Sequence, residues 1–143
     1  MNSHHHDSHI YFYGGVHPDE RKGLSASAKI NDAPLLSKYT IILHQNIGAT
    51  PKTIVKKGDI VKKGQRLAEA SGFVSAPVHS PTSGSVSNLL NITGPFGAQA
   101  PAIEITSDGK DEWIELEKMD WKNESPEKLL AKIADSGLVG MGG

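Results

Sequence analysis

Residues 55–86 read V-K-K-G-D-I-V-K-K-G-Q-R-L-A-E-A-S-G-F-V-S-A-P-V-H-S-P-T-S-G-S-V, and this stretch decides the fold. Lys57-Gly58-Asp59 and Lys63-Gly64-Gln65 are turn signals, because glycine reaches positive φ without a Cβ clash. They stand on either side of Val61. Pro77 and Pro81 have no N–H to donate, so they belong at strand ends or edges. Working outward, β-branched or alternating runs give strand candidates at 39–44, 53–55, 66–70, 73–78, 84–92, 102–106 and 113–116. Ser107-Asp108-Gly109-Lys110 is a further turn. Short strands punctuated this regularly predict a sandwich or barrel. Residues 51–70 and 77–106 also echo one another, with Gly58-Asp59-Ile60-Val61 in one half and Gly84-Ser85-Val86 in the other. Two such half-units would pack face to face over Ile54, Val61, Leu67, Val86, Ile103 and Ile105.

The first half of this stretch resembles the opening hairpin of a biotinyl/lipoyl domain. The second, through Ser80-Pro81-Thr82-Ser83-Gly84-Ser85-Val86, resembles the matching strand. The expected fold is therefore mainly β, a barrel-sandwich hybrid with an N-terminal extended arm and a C-terminal helix. Carrier domains of that kind place a modifiable lysine on the turn between the halves. Here the turn falls near Ser71-Gly72-Phe73, and no lysine occurs between Lys63 and Lys110. A swinging-arm cofactor needs an amine for attachment, so neither covalent biotin nor lipoate is expected.

Composition sets further bounds. The 143 residues include 15 glycines and 8 prolines, which favours a turn-rich β domain over a helical bundle. A formal net charge of −1 gives no global push toward nucleic acid or an anionic membrane. The absence of cysteine excludes disulfides, thiolate chemistry and Cys-ligated iron–sulfur clusters or zinc within this chain. No apolar run approaches the ~18 residues of a membrane span. Tyr39-Thr40-Ile41-Ile42-Leu43 suits a buried strand instead. No basic segment followed by an apolar one opens the chain, so no secretory signal is read. A cytoplasmic-side domain is the expectation.

The organisation expected along the chain has four parts. Residues 1–13, with His4, His5, His6 and His9, read as a disordered or tag-like terminus rather than a metal-binding tract. Residues 14–37 form an extended arm. Residues 38–118 are the barrel-sandwich hybrid. Residues 119–143 hold a linker, a helix and the start of a glycine-rich loop. Ser125 is a good N-cap, Pro126 fits the first helical position and Glu127 suits the positive end of the dipole. Leu129, Leu130, Ile133 and Ala134 form an apolar stripe at helical spacing. The barrel, with Trp113 or Trp121, is expected to cover it. Gly137 suits the left-handed position that ends the helix. The closing Leu138-Val139-Gly140-Met141-Gly142-Gly143 reads as the opening of an interrupted motif.

Five segments together carry a family resemblance: Gly14-Gly15-Val16-His17-Pro18, Gln45-Asn46-Ile47-Gly48-Ala49, residues 55–67, residues 70–84, and residues 137–143. The chain resembles the N-terminal region of RnfC, the C-subunit of the Rnf-type ion-translocating electron transport complex. The resemblance implies a longer protein that continues into a flavin- and NADH-binding domain and then a Cys-rich domain with two four-iron clusters. It implies a peripheral subunit on the cytoplasmic side of a membrane complex that couples ferredoxin and NAD to ion movement. Its partners would be the other subunits and the downstream flavin domain, not nucleic acid. The family's nucleotide loop is of the G-x-G-G-A-x-F-P type, and this chain keeps Gly140, Gly142 and Gly143 of it. Full-length proteins would use FMN, NADH and two [4Fe–4S] clusters. This segment is expected to carry no cofactor, no metal and no catalytic residue of its own. The A-subunit of the sodium-pumping NADH:quinone oxidoreductase is the nearest alternative.

Three further patterns invite a function. His44 and His79 would suit a histidine phosphocarrier of the sugar phosphotransferase type if the fold brought them together. Lys56, Lys57, Lys62 and Lys63 form a basic patch, read as lysines that discourage strand pairing at an edge. Asp108, Asp111, Glu112, Glu115 and Glu117 form an acidic run whose spacing fits no calcium loop, so a solvated surface is expected.

Overall fold

The computed structural model describes residues 21–94 and 97–140. Two units are present, Met1–Ala33 and Pro34–Gly143. The described part of the first holds a 3-10 turn at Lys22–Leu24 and is exposed throughout. The His-rich start and Gly14 to Pro18 lie outside the described residues.

The second unit contains β1 (Lys38–Ile42), β2 (Lys52–Thr53), β3 (Ile60–Val61), β4 (Arg66–Glu69), β5 (Val78–His79), β6 (Gly84–Thr93), β7 (Gln99–Ser107) and α1 (Pro126–Asp135). One antiparallel sheet runs β1-β7-β6-β3 and a second runs β2-β4-β5. The core draws on both. Val61, Val86, Ile103 and Ile105 come from the first sheet, Leu67, Ala68 and Val78 from the second, with Leu43 and Val55 added from beside them. This is the mainly β barrel-sandwich hybrid that the resemblance to a biotinyl/lipoyl domain implies, with the helix after it.

Two glycine turns build the interlock. In the first, Gly58 has φ +94° and the Asp59 carboxylate accepts from the Lys56 N–H at 2.9 Å. In the second, Gly64 has φ +80° and the Gln65 side-chain oxygen accepts from the Lys62 N–H at 3.0 Å. The sequence echo K-K-G-D and K-K-G-Q is thus one turn used twice, with the residue after glycine capping it. Each turn then grips the other half of the chain. Val86 accepts from Gly58 N–H and donates to Asp59 O, both at 2.8 Å. Ser80 accepts from Gly64 N–H and donates to Gln65 O, also both at 2.8 Å.

The buried hydroxyls of Ser80, Thr82 and Ser83 are satisfied locally. Ser80 Oγ donates to Thr82 O at 2.6 Å, Thr82 Oγ1 lies 3.3 Å from Ser107 Oγ, and Ser83 Oγ donates to Asp108 at 2.7 Å. Buried polar groups are costly unless paired, and these bonds let Ser80, Thr82 and Ser83 be buried in the Ser-Pro-Thr-Ser connection from β5 to β6.

Several expectations need correction. Ile54 is half exposed and Val55 is buried in its place. Side chains alternate along an extended chain, so a one-residue offset exchanges the faces. Residues 73–78 do not form a strand apart from Val78, because their polar groups bond to the 49–50 loop instead of to a ladder. Residues 113–116 contribute one parallel bridge, Lys63 to Trp113. Ile60–Val61, not proposed as a strand, pairs with Gly84 and Ser85. The stripe of α1 is only partly covered, at Leu129. Leu130 and Ile133 stay mostly exposed, Trp113 lies over Gly64, and Trp121 is exposed with Lys122 above its ring.

The basic patch and acidic run meet instead of facing solvent separately. Lys62 pairs with Glu112 at 2.6 Å and Lys63 with Asp111 at 2.5 Å, with Lys63 also 5.0 Å from the Trp113 ring. Backbone bonds from Lys63 N to Glu112 O and from Ile114 N to Lys63 O hold the two segments together. Half-exposed pairs of this kind contribute little individually. Their effect here is to lay the chain after β7 along the second glycine turn.

Candidate docking cleft at the lysine-free turn

The turn between β4 and β5 is where a carrier domain would display its lysine. In this chain it is held by hydroxyls. Ser71 Oγ donates to Thr50 O at 2.6 Å, Ser75 Oγ donates to Ala49 O at 2.7 Å, and Ala49 N–H donates to Val74 O at 2.7 Å. Gly48 is required for this closeness, since a Cβ there would fall on the Val74 carbonyl. The outcome is a rigid double loop that holds Phe73 and Ile47 fully in solvent, at 106% and 101% relative exposure.

Co-expression with biotin and lipoate ligases is therefore expected to leave the intact mass of the chain unchanged. A mass gain of either group, mapped between residues 64 and 109, would contradict the reading of the turn.

The helix end closes the third side. α1 starts at Ser125, whose hydroxyl accepts from Lys128 N–H at 3.4 Å, and it ends at Gly137 with φ +70°. A Cβ on Gly137 would come within 2.5 Å of the Pro77 carbonyl oxygen and 3.5 Å of His79 Nδ1. Arg66 on β4 pairs with Asp135 at the helix end. These contacts bring Ala134, Leu138, Val139 and Gly140 over the double loop. Together with residues 45–47 and 73–76 they line a cleft of about 700 Å³. Gly140 is exposed, with open space where a side chain would be. Gly142 and Gly143 lie outside the described residues.

The two histidines do not converge. His44 follows β1, bonds to Thr50 Oγ1 at 3.0 Å and lines a cleft of about 230 Å³ with Gly94 and Pro101. His79 is half-buried on β5 and lines another, of about 410 Å³, with Trp113 and Asp135. A phosphocarrier pair is not formed. No group of three or more His, Asp or Glu side chains among the described residues is placed to hold a metal ion.

Burial, and secondarily the Arg66 guanidinium, hold the His79 imidazole below its ordinary 6.5. A base with a depressed folded-state pKa adds stability above its unfolded value and loses it as pH falls through the folded one. Substituting His79→Gln is expected to flatten the decline in urea midpoint on the acid side of pH 6.5. Glu104, held below 4.5 mainly by Ser87, and Asp108, held below 3.8 mainly by the Lys110 N–H, act with the same sign but only in stronger acid. An unchanged slope just below 6.5 in the variant would show that His79 titrates alike folded and unfolded.

Residues 10–110 match the family described as the RnfC barrel sandwich hybrid domain. The chain belongs to the RnfC family. This RnfC chain is 43% identical over 134 residues to the C-subunit of the proton-translocating ferredoxin:NAD(+) oxidoreductase complex of Clostridium ljungdahlii, covering 92% of this chain and 29% of that protein. The C-subunit of the ion-translocating oxidoreductase complex of Haemophilus influenzae is 41% identical over 135 residues, covering 92% and 21%. That of Rhodobacter capsulatus is 40% identical over 133 residues, covering 91% and 26%. This RnfC chain thus spans less than a third of the length of these relatives. Three of the segments that carry the resemblance, residues 45–49, 70–84 and 137–143, contribute to the one cleft through their described residues. Sequence patterning marks each separately and gives no sign that they meet.

Proposed function

We propose that this chain is the structural and docking barrel of the RnfC subunit in a membrane-bound, ion-translocating complex that couples ferredoxin and NAD. The observation that carries this reading is identity near 40% along nine-tenths of the chain to proteins of that name. The chemistry of the residues supports a non-catalytic part. The fold keeps the carrier turn but places serine, glycine and phenylalanine on it, and the sequence supplies no thiolate for a cluster. FMN, NADH and the two [4Fe–4S] clusters accordingly fall to the remainder of RnfC. Gly140, with Gly142 and Gly143 beyond it, would hand the chain on to the flavin domain. No helix among the described residues is long and apolar enough to cross a membrane, which is compatible with a peripheral place on the cytoplasmic side, held by the other subunits.

The test is deletion of residues 38–118 from a full-length RnfC expressed with its complex. RnfC is expected to be lost from the purified complex, together with ferredoxin-dependent NAD reduction. Retention of truncated RnfC at normal stoichiometry would overturn the docking role.

A further inference from the structure

The cleft between the lysine-free turn and the end of α1 is mostly apolar and has a volume of about 700 Å³. None of the side chains lining it is charged, whereas the cleft beside it carries Lys63, Lys132 and Asp135. Depletion of charge around aromatic and aliphatic residues marks the core of a protein interface. Phe73, Ile47, Val74, Leu138 and Val139 are all at least half exposed. Leu130 lies one turn before Ala134 on the same face of α1 and extends the patch along the helix. Contiguous apolar surface on this scale signals a partner.

The patch is also built, not incidental. The serine and backbone bonds between residues 49–50 and 71–75, and the close approach at Gly48, hold Phe73 and Ile47 outward. Holding large apolar side chains in water costs free energy unless something covers them. Three observations identify the cover. Its surface must be apolar and uncharged, to match the lining. More than two thirds of each relative lies outside the matched segment, so a full-length RnfC offers a large further polypeptide. Gly140 itself lines the cleft, so residues that follow it start at this surface and meet it at high effective concentration.

We infer that this cleft seats an apolar face of the polypeptide that follows residue 143 in a full-length RnfC, with Phe73 and Ile47 as anchors. The inference rests on the reading of the chain as part of RnfC. It places the contact in cis: the turn that a carrier domain uses to present a cofactor arm is here a fixed apolar knob against the next domain.

Hydrogen exchange on the 143-residue chain and on a full-length RnfC that contains it tests this. Amides at 45–49 and 73–76 are expected to exchange about tenfold more slowly in the full-length protein, as for segments covered by stable packing. The double substitution Phe73→Ser, Ile47→Ser should abolish that difference. It should leave the melting temperature of the 143-residue chain unchanged, which separates lost docking from lost folding. Equal exchange in both proteins would overturn the inference. So would protection that rises with the concentration of the 143-residue chain, which would make the occupant a second copy. Protection that appears only when the other subunits are added would also overturn it, while leaving the docking role of the barrel intact. Failure of that role is read separately, by loss or retention of RnfC in the complex.

Discussion

Substituting Gly84→Ala is expected to be the most damaging single change in the barrel. Gly84 opens β6 and pairs on one side with Val61 and on the other with Ser107. A Cβ there would fall on the Thr106 carbonyl and within 3.0 Å of Ser107 Cα. Both obstacles are backbone, so no rotamer change relieves them. Relief requires parting β6 from β7, the longest ladder among the described residues, and with it the packing of Val86 on Ile105. Overpacking of this kind costs about 3 kcal/mol or more. For a domain of this size that lowers the melting temperature by about 10 °C or more. Thermal unfolding followed by far-UV circular dichroism measures it. A shift of a degree or two would mean that β6 and β7 separate far more easily than their register implies.

Leu67→Ala comes second. Leu67 is fully buried on β4 and stands across the core from Val61, Val86 and Ile105 of the other sheet. Truncation removes apolar contact and leaves a cavity between two sheets that their hydrogen bonds hold at fixed spacing. The loss is about 2–5 kcal/mol. Phe73→Ala provides the contrast. It deletes a larger side chain, yet the ring has no neighbour to lose, so the change in stability stays within about 0.5 kcal/mol. Urea unfolding of the two variants side by side checks the ordering. A Phe73→Ala chain as unstable as Leu67→Ala would show that the aromatic ring packs inward.

The sequence was legible where local chemistry dictates local geometry. Gly58 and Gly64 had to supply positive φ, and the Ser125-Pro126 start and Gly137 stop bounded α1. It was less legible where an alternation runs through only two or three residues. Ile54 and Val55 are both good core residues, and the two-residue β2 just before them sets no alternation long enough to say which faces in. The pairing of Lys62 and Lys63 with Glu112 and Asp111 joins residues 50 and 48 positions apart, and nothing in either charge run names the other. The cleft is the extreme case. Its walls come from three separate segments, and periodicity within each says nothing about their meeting. The helix misled in the opposite way, since an apolar stripe shows that a face wants cover but not that the cover lies in the same domain.

The twin glycine turns have a kinetic consequence. Gly58 and Asp59 find their backbone partner in Val86, and Gly64 and Gln65 find theirs in Ser80. β2 and β4 pair within the first half and β6 and β7 within the second, but neither glycine turn finds its clasp in its own half. During synthesis, at about 5–20 residues per second, the first turn leaves the ribosome seconds before its clasp exists. The barrel must wait and then shut in one step, as a topology rich in distant contacts does. Pulse-proteolysis of stalled nascent chains would see this as an abrupt gain of resistance once residues beyond Ile105 emerge, with no protected species before it.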